Sequence, residues 1–190
     1  MVASLRSDGA EGNFDLGVIV RFSLACSNCH EGECSGRTSF GSEPHTATGH
    51  IQRYSGSVDP EMEIRLYALL HRMKLDCTYP PMRVPQGGRG RWEREVLLPY
   101  RDASLNGYFI PLGQLDAGRY RLSLQFDREP TVQIAVISSA FEPIWTGCRT
   151  KGEPRMTTDV ELESAGAPYL RIRSDDAYPL FLERVSIEPR

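Results

Sequence analysis

The sequence lacks an apolar run long enough to cross a membrane. Its longest apolar stretch, residues 16–26, is interrupted by Arg21 and falls far short of the ~20 residues that a membrane-spanning helix needs. It also lacks an apolar segment directly after a basic N-terminal region, which is the pattern of a signal peptide. These absences predict no membrane span and favour a cytoplasmic protein, with a periplasmic or extracellular location as the alternative.

Basic residues are too few for a dedicated nucleic-acid-binding protein. The chain has 22 Lys and Arg against 25 Asp and Glu, which gives a net charge of −3, whereas such proteins carry a basic excess. The sequence also contains no phosphate-binding P-loop, no G-x-G-x-x-G dinucleotide motif and no G-x-S-x-G nucleophile motif. We therefore expect a protein that is not an enzyme and binds no nucleic acid.

The composition is that of a folded protein. Hydrophobic residues make up 40% of the 190 residues, and a chain of this length buries about 70% of its unfolded surface in one core. The 17 Gly and 13 Pro residues predict many turns. We expect residues 1–13, which are polar and contain Gly, to be a flexible lead-in, and residues 14–190 to form a single domain.

Two segments in the first half of the chain have apolar patterns. Apolar and polar residues alternate over residues 16–24, where only Ile19 breaks the pattern, and this predicts a strand. Residues 60–75 fit two patterns, because Asp59 and Pro60 are typical of a helix start while the apolar residues that follow also alternate. We predict a strand there, since the neighbouring segments are strands, and keep a helix as the alternative.

Beyond residue 90 the alternation is nearly continuous. Trp92, Val96 and Leu98 define one predicted strand face, and residues 118–137 are predicted to form a hairpin. The segment 180–187 changes phase, which indicates either a bulge near Glu183 and Arg184 or burial on both faces. Eight to ten short strands separated by turns predict an all-β fold, an antiparallel β-sandwich or jelly roll.

Residues 26–59 are predicted to form a long loop that contains most of the Cys and His residues. Cys26, Cys29, Cys34 and His30 lie within nine residues of one another. Thiolates and imidazoles are the ligands that zinc takes in tetrahedral protein sites. These four residues are therefore the predicted metal ligands, with His45 or His50 as alternatives to His30 in the fourth position, and zinc is the predicted cofactor.

Other interpretations of the cysteines stay open. The run Cys26-Ser27-Asn28-Cys29-His30 matches the C-x-x-C-H motif for covalent haem attachment, and this predicts an electron-transfer protein as an alternative. In an exported protein the five cysteines would form disulfides, with Cys77 and Cys148 as one plausible pair. The remaining interpretation is free thiols in an exposed loop, with Cys77 and Cys148 as small core residues.

Three residues are candidates for ligand binding on the outside of the sandwich. Trp145 lies in a predicted loop that contains Pro143, and Tyr169 falls on the strand face that also presents Arg171. Flat rings stack on sugar faces, and aromatic residues with Arg are enriched at protein interfaces. The sequence alone does not separate a glycan from a protein ligand.

Two parts of the sequence resemble known accessory domains. Residues 105–112 (LNGYFIPL) and 115–122 (LDAGRYRL) are similar to sequence segments common in bacterial Ig-like and accessory β-sandwich domains. Residues 178–187 (YPLFLERVSI) resemble the closing strand of jelly-roll carbohydrate-binding modules. The resemblance implies an accessory, non-catalytic role and transfers no binding residue.

These observations predict a β-sandwich that works by docking. We expect an accessory or structural subunit that binds protein partners in a larger assembly, with a zinc-tied segment at residues 26–34 as a contact element. The alternatives are a carbohydrate-binding module and a haem protein.

Overall fold

The computed structural model describes residues 14–30, 44–87, 90–149 and 153–190, and the predicted lead-in at residues 1–13 lies outside them. The helices are α1 (Leu16–Ala25), α2 (Ser27–His30), α3 (Pro44–Ser55), α4 (Pro60–Asp76) and α5 (Arg94–Leu97), and a 3₁₀ turn follows at Leu98–Tyr100. The strands are β1 (Arg91–Glu93), β2 (Arg101–Asp102), β3 (Gly107–Pro111), β4 (Gly118–Phe126), β5 (Val132–Ile137), β6 (Pro143–Arg149), β7 (Arg155–Leu162), β8 (Tyr169–Ser174) and β9 (Leu182–Pro189).

The strands form two antiparallel sheets, which confirms the predicted β-sandwich. One sheet has the order β1-β9-β4-β7 and the other has the order β2-β3-β8-β5-β6. Alternate residues of both sheets point inward and form the first core, in which the largest side chains include Tyr108, Leu122, Leu124 and Phe126. The apolar residues that alternate with polar ones beyond residue 100 are thus the residues that face the first core.

Helix α1 packs on the outer face of the five-stranded sheet, α3 and α4 pack on α1, and the three helices form a second core with the sheet. Phe109, Ala135, Ile137 and Tyr169 of the sheet pack in one cluster with apolar residues of these helices. Every residue of β3 is therefore buried, because one face of that strand meets the opposite sheet and the other face meets the helices. The alternating pattern of the sequence predicted the sandwich, but no pattern in the sequence predicted this helical layer.

The predicted strand at residues 16–24 is wrong, because this segment is helix α1. Asp15 caps the helix by accepting a hydrogen bond from the Gly17 backbone N–H at 2.7 Å. Ile19, which broke the alternation, is buried together with its neighbours Val18 and Val20. The helix is apolar on most sides because it lies between the sheet and the other helices.

The predicted strand at residues 60–75 is also wrong, and the helical alternative is correct. Asp59 accepts a hydrogen bond from the Met62 N–H at 2.7 Å, and Pro60 occupies the first turn of α4. Cys77 ends the helix in the left-handed conformation. Leu66 and Met73 are buried in the second core and fit the helical period. The N-terminal cap and the buried positions therefore both favour a helix.

The predicted long loop at residues 26–59 contains helical structure instead. Helix α2 follows α1 almost directly, and α3 occupies twelve residues of the same segment. The predicted long Cys- and His-containing loop is therefore not confirmed, and Cys34 lies outside the described residues.

The strands of the predicted 118–137 hairpin exist but do not pair with each other. β4 pairs with β7 and β9 in one sheet, whereas β5 pairs with β6 and β8 in the other. The connection between them passes from one sheet to the other. Alternation identifies a strand and its buried face, but it carries no information about the pairing partner.

Two smaller predictions on strand phase have opposite outcomes. Of the predicted face formed by Trp92, Val96 and Leu98, only Trp92 lies in a strand, because Val96 belongs to helix α5 and Leu98 to the 3₁₀ turn. The predicted bulge is confirmed, since the register between β4 and β9 passes from Arg184 to Leu182 and leaves Glu183 unpaired. This extra residue lets residues on both sides of it point into the first core.

The single domain predicted over residues 14–190 and the predicted compartment stay predictions. Within the described parts of the chain, every helix is too short or too polar to cross a lipid bilayer.

Candidate functional site

The cysteine segment lies at the end of α1 and in the short helix α2. Cys26 is the residue that caps α1, and the Cys29 backbone N–H donates to the Cys26 carbonyl oxygen at 3.2 Å. The Cys26 Sγ lies 3.7 Å from the Ser55 Oγ. Burial raises the pKa of the Cys26 thiol, and the hydrogen bond with Ser55 offsets only part of that increase. Cys26 is therefore a half-buried thiol, whereas Cys29 is exposed.

The predicted zinc site is not assembled by the described residues alone. Among them, no three His, Cys, Asp or Glu side chains come together as ligands of one metal ion. Cys26, Cys29 and His30 do line the same pocket, and Cys34 lies outside the described residues. Zinc binding by these four residues stays a prediction, which elemental analysis of the purified protein tests.

Tyr169 and Arg171 lie beneath the helical layer and not on a free outer face. Their shared strand face is as predicted, but it points toward α1 and α2. Tyr169 is only 5% exposed, its ring stacks on Phe109 at 5.0 Å between centroids, and its hydroxyl donates to the Pro80 carbonyl oxygen at 3.3 Å. The Arg171 Nη1 donates to the Ser27 Oγ at 3.3 Å. Both residues therefore hold the helices on the sheet.

Trp145 lies in strand β6 and not in the predicted loop. It is half-buried, packs against the first core and sits opposite Val136. Its ring covers Gly147, where a Cβ atom would lie 2.5 Å from the ring. Part of the ring is thus covered by its own strand, and Trp145 as a ligand-binding residue stays a prediction.

The outer face of the four-stranded sheet is open but contains no aromatic ring in its described strands. Its side chains are polar and charged, and several form ion pairs across the strands. Examples are Arg119 Nε with Glu161 Oε2 at 3.6 Å and Arg184 Nε with Glu93 Oε1 at 2.9 Å. This face provides hydrogen-bonding groups but no stacking surface for a sugar.

Helix α4 exposes a row of mostly aliphatic side chains that the strand prediction did not reveal. Ile64, Ala68, His71 and Leu75 follow one another at intervals of four, three and four residues and are all exposed, so they share one face of the helix. Ile64 is 62% exposed and Leu75 is 72% exposed. We call these four residues the α4 stripe. The prediction of a strand hid it, because a strand would place Ile64 with Leu66 on one buried face.

A pocket opens between the helices beside the cysteine segment. It has a volume of about 300 Å³ and is lined by residues of α1, α2, α3 and α4. We call it the helical pocket, and its lining includes Cys29, His30, Ala47, His50, Ile51, Tyr54 and Leu70. It brings together Cys26, Cys29 and His30 with His50, which was predicted as an alternative fourth zinc ligand, and with Tyr54, which no sequence pattern indicated.

A polar cleft of about 500 Å³ lies between the β5–β6 and β7–β8 connections. Its walls include Ser138, Glu142, Glu163 and Ser164. The Ser138 Oγ accepts a hydrogen bond from the Glu142 backbone N–H at 3.0 Å, which holds one wall of the cleft.

Comparison by sequence finds no match, since neither a protein-family model nor a curated protein matches the chain. Comparison of structures finds weak likenesses among carbohydrate-binding modules. A structure described as "CBM4 structure and function" is 13% identical, covers 44% of this chain and 73% of its own, and has a TM-score of 0.33.

Two further structures are similar at the same level. A module from Clostridium perfringens, CpGH89CBM32-4 in complex with glcNAc-alpha-1,4-galactose, is 10% identical over 43% of this chain and 65% of its own, with a TM-score of 0.30. A structure described as "BiXyn10A CBM1 APO" is 9% identical over 57% of this chain and 70% of its own, also with a TM-score of 0.30. The resemblance predicted from the sequence is thus matched among solved structures, whereas the fold assignment depends on the two sheets themselves.

Proposed function

We propose that this protein is a non-catalytic docking module that binds a protein partner through the α4 stripe. The observation that supports this is the exposure of Ile64 and Leu75, two large aliphatic side chains on one helix face. Single exposed apolar residues are ordinary, but an apolar row along one element is typical of an interaction surface. The inner positions of α4 are fully engaged in the second core, so the stripe is a separate outer surface.

The charges around the stripe indicate the kind of partner. Glu61 pairs with Arg65 and Arg72 pairs with Asp76, each at 2.5 Å and each four residues apart. These pairs neutralise one another on the helix surface, so the stripe has no excess of one sign beside it. A neutral rim suits an apolar helix or strand face of another protein and offers nothing to a nucleic acid or an anionic membrane.

A pair of charge substitutions tests this proposal. Ile64→Glu with Leu75→Glu places two charges in the stripe without touching the second core, so the fold and the melting temperature should be retained. A matched control is Leu98→Glu with Tyr178→Glu, which changes two exposed apolar side chains elsewhere; these are 43% and 72% exposed. A partner captured from native lysate should bind the wild type and the control, then be purified and titrated by calorimetry.

The expected result is a loss of affinity of at least about tenfold for the stripe variant alone, since apolar residues at the centre of an interface contribute most of its binding energy. Equal binding by both variants would overturn the proposal. So would a homodimer that dissociates only in the stripe variant, because the stripe would then be a contact between two copies of this chain.

Glycan binding is the second candidate function, and the polar cleft favours it. Carboxylate oxygens such as those of Glu142 and Glu163 accept hydrogen bonds from sugar hydroxyls, and a cleft of this volume accommodates one or two sugar rings. A glycan array with wild-type protein tests it. Glu142→Ala with Glu163→Ala should abolish any signal, whereas Glu95→Ala, an exposed change on α5, should leave it unchanged.

A further inference from the structure

The helical pocket has the size and lining of a small-molecule site. Its volume of about 300 Å³ lies at the lower end of the usual range for such sites. The inner wall is apolar and consists of aliphatic side chains from α1, α3 and α4, among them Ala47, Ile51 and Leu70. An apolar body of one or two rings would fill this space.

The remaining wall is polar and aromatic. The rings of His30 and His50 lie 6.0 Å apart with their planes at 71°, and the ring of Tyr54 lies 4.7 Å from that of His50. Imidazole N–H groups donate hydrogen bonds, so this side of the pocket suits an acceptor group on a ligand.

The donors of the polar wall suit an acceptor that is an anion. No carboxylate lines the pocket among the described residues. The Arg53 guanidinium carbon lies 5.7 Å from the centroid of the Tyr54 ring, and Arg173 donates a hydrogen bond to the Leu24 carbonyl oxygen behind Cys26. Neither Arg lines the pocket, so a carboxylate at the polar wall would meet the imidazole donors of His30 and His50, with no competing acid among the described lining residues.

We propose that the helical pocket binds a small organic acid whose apolar, ring-sized body contacts Ala47, Ile51 and Leu70 and whose carboxylate faces His30 and His50. The pocket uses different positions of α4 from those of the α4 stripe. This inference is therefore independent of the docking proposal, and the Ile64→Glu and Leu75→Glu variant should bind the acid as the wild type does.

Three naphthalene probes of the same shape test the proposal. These are 2-naphthoate, 2-naphthalenemethanol and 2-naphthalenemethylamine, which carry a negative, a neutral and a positive group. Calorimetry or ligand-observed NMR at pH 7 should find the carboxylate bound about tenfold more tightly than the alcohol, because charge-assisted hydrogen bonds are roughly twice as strong as neutral ones. Equal affinity for the three probes, or preference for the amine, would overturn the proposed head group.

Two variants locate the site. Ala47→Phe fills the pocket and should abolish binding, whereas Gly49→Phe places the same ring on α3 where a Cβ meets no atom within 4 Å and should not. His50→Ala should weaken the carboxylate severalfold and leave the alcohol unchanged. Circular dichroism and thermal melting confirm that each variant is folded.

Alkylation provides a measurement that does not depend on affinity. Cys29 is exposed at the pocket and Cys148 is exposed on strand β6. In a Cys34→Ser background, saturating 2-naphthoate should slow the reaction of Cys29 with iodoacetamide and leave Cys148 unaffected, as read by mass spectrometry. Unchanged labelling of Cys29, or binding that survives Ala47→Phe, would show that the acid binds elsewhere and would refute the site.

Discussion

Arg21 and Asp102 join the helical layer to the sandwich. The Arg21 Nε of α1 donates to the Asp102 Oδ2 of β2 at 2.7 Å, and both side chains are largely buried. The Asp102 carboxylate also accepts from the backbone N–H groups of Ser104 and Leu105, each at 2.9 Å. One carboxylate therefore anchors a helix and orders the turn that leads into β3.

Asp102→Asn should destabilise the protein by about 2 kcal/mol, because hydrogen bonds to a charged group contribute about 1.5–3 kcal/mol. The control is Arg119→Gln, which removes an exposed ion pair with Glu161 and should cost less than about 1 kcal/mol. Urea denaturation of the three proteins measures both values. Equal losses would show that the Arg21–Asp102 pair contributes no more than a surface contact.

The same carboxylate should make stability depend on pH in the acid range. Burial alone raises the pKa of Asp102, but the hydrogen bonds from Arg21, Ser104 and Leu105 outweigh it and lower the pKa below the ordinary value of 3.8. The unfolded chain then binds the proton more readily than the folded one. The stabilisation is fully present at pH values above the ordinary pKa of an aspartate. It is lost as the pH falls through the lowered pKa of Asp102 in the folded protein.

Melting temperatures measured between pH 2 and pH 6 test this dependence. The difference in melting temperature between the wild type and Asp102→Asn should be constant near pH 6 and shrink toward pH 2. A difference that stays constant over the whole range would contradict the lowered pKa of Asp102.

Gly107 should be intolerant of a side chain because α1 approaches β3 closely there. A Cβ at this position would lie 2.7 Å from the Ile172 carbonyl oxygen and 3.1 Å from the Leu24 side chain. We expect Gly107→Ala to cost about 1–3 kcal/mol by overpacking. Gly166→Ala, where a Cβ meets no atom within 4 Å, is the matched control and should be nearly neutral in the same denaturation assay.

Tyr169 should behave as a core residue and not as a ligand-binding one. Its ring contacts Phe109 and Tyr79 at centroid distances of 5.0 Å and 5.2 Å. Tyr169→Ala should therefore cost about 3–5 kcal/mol, the range for an aromatic residue removed from a core. Tyr178→Ala, which removes an exposed ring, should change stability by less than about 0.5 kcal/mol. A neutral Tyr169→Ala would mean that the helices do not cover this face in solution.

The candidate sites were visible in the sequence only in part. Cys26, Cys29 and His30 stand out by spacing, and they do line one pocket. His50 was predicted only as an alternative fourth zinc ligand and Tyr54 was not predicted at all, because α3 brings both to the pocket from twenty or more residues away. The α4 stripe was hidden by the competing strand pattern, although Asp59 and Pro60 already marked the correct helix start.

What the sequence by itself determined is the inner face of most strands beyond residue 100; strand β6 is an exception, because Trp145 was predicted to lie in a loop. Leu122 and Leu124 point inward because alternation is a local property of an extended chain. The change of phase near Glu183 indicated either a bulge or burial on both faces, and the structure has the bulge. What only the tertiary structure decided is which strands pair and what covers the outer faces. Residues 16–24 are apolar enough for either a strand or a buried helix. Only their position between a sheet and two helices, a contact between distant parts of the chain, makes the helix the more stable choice.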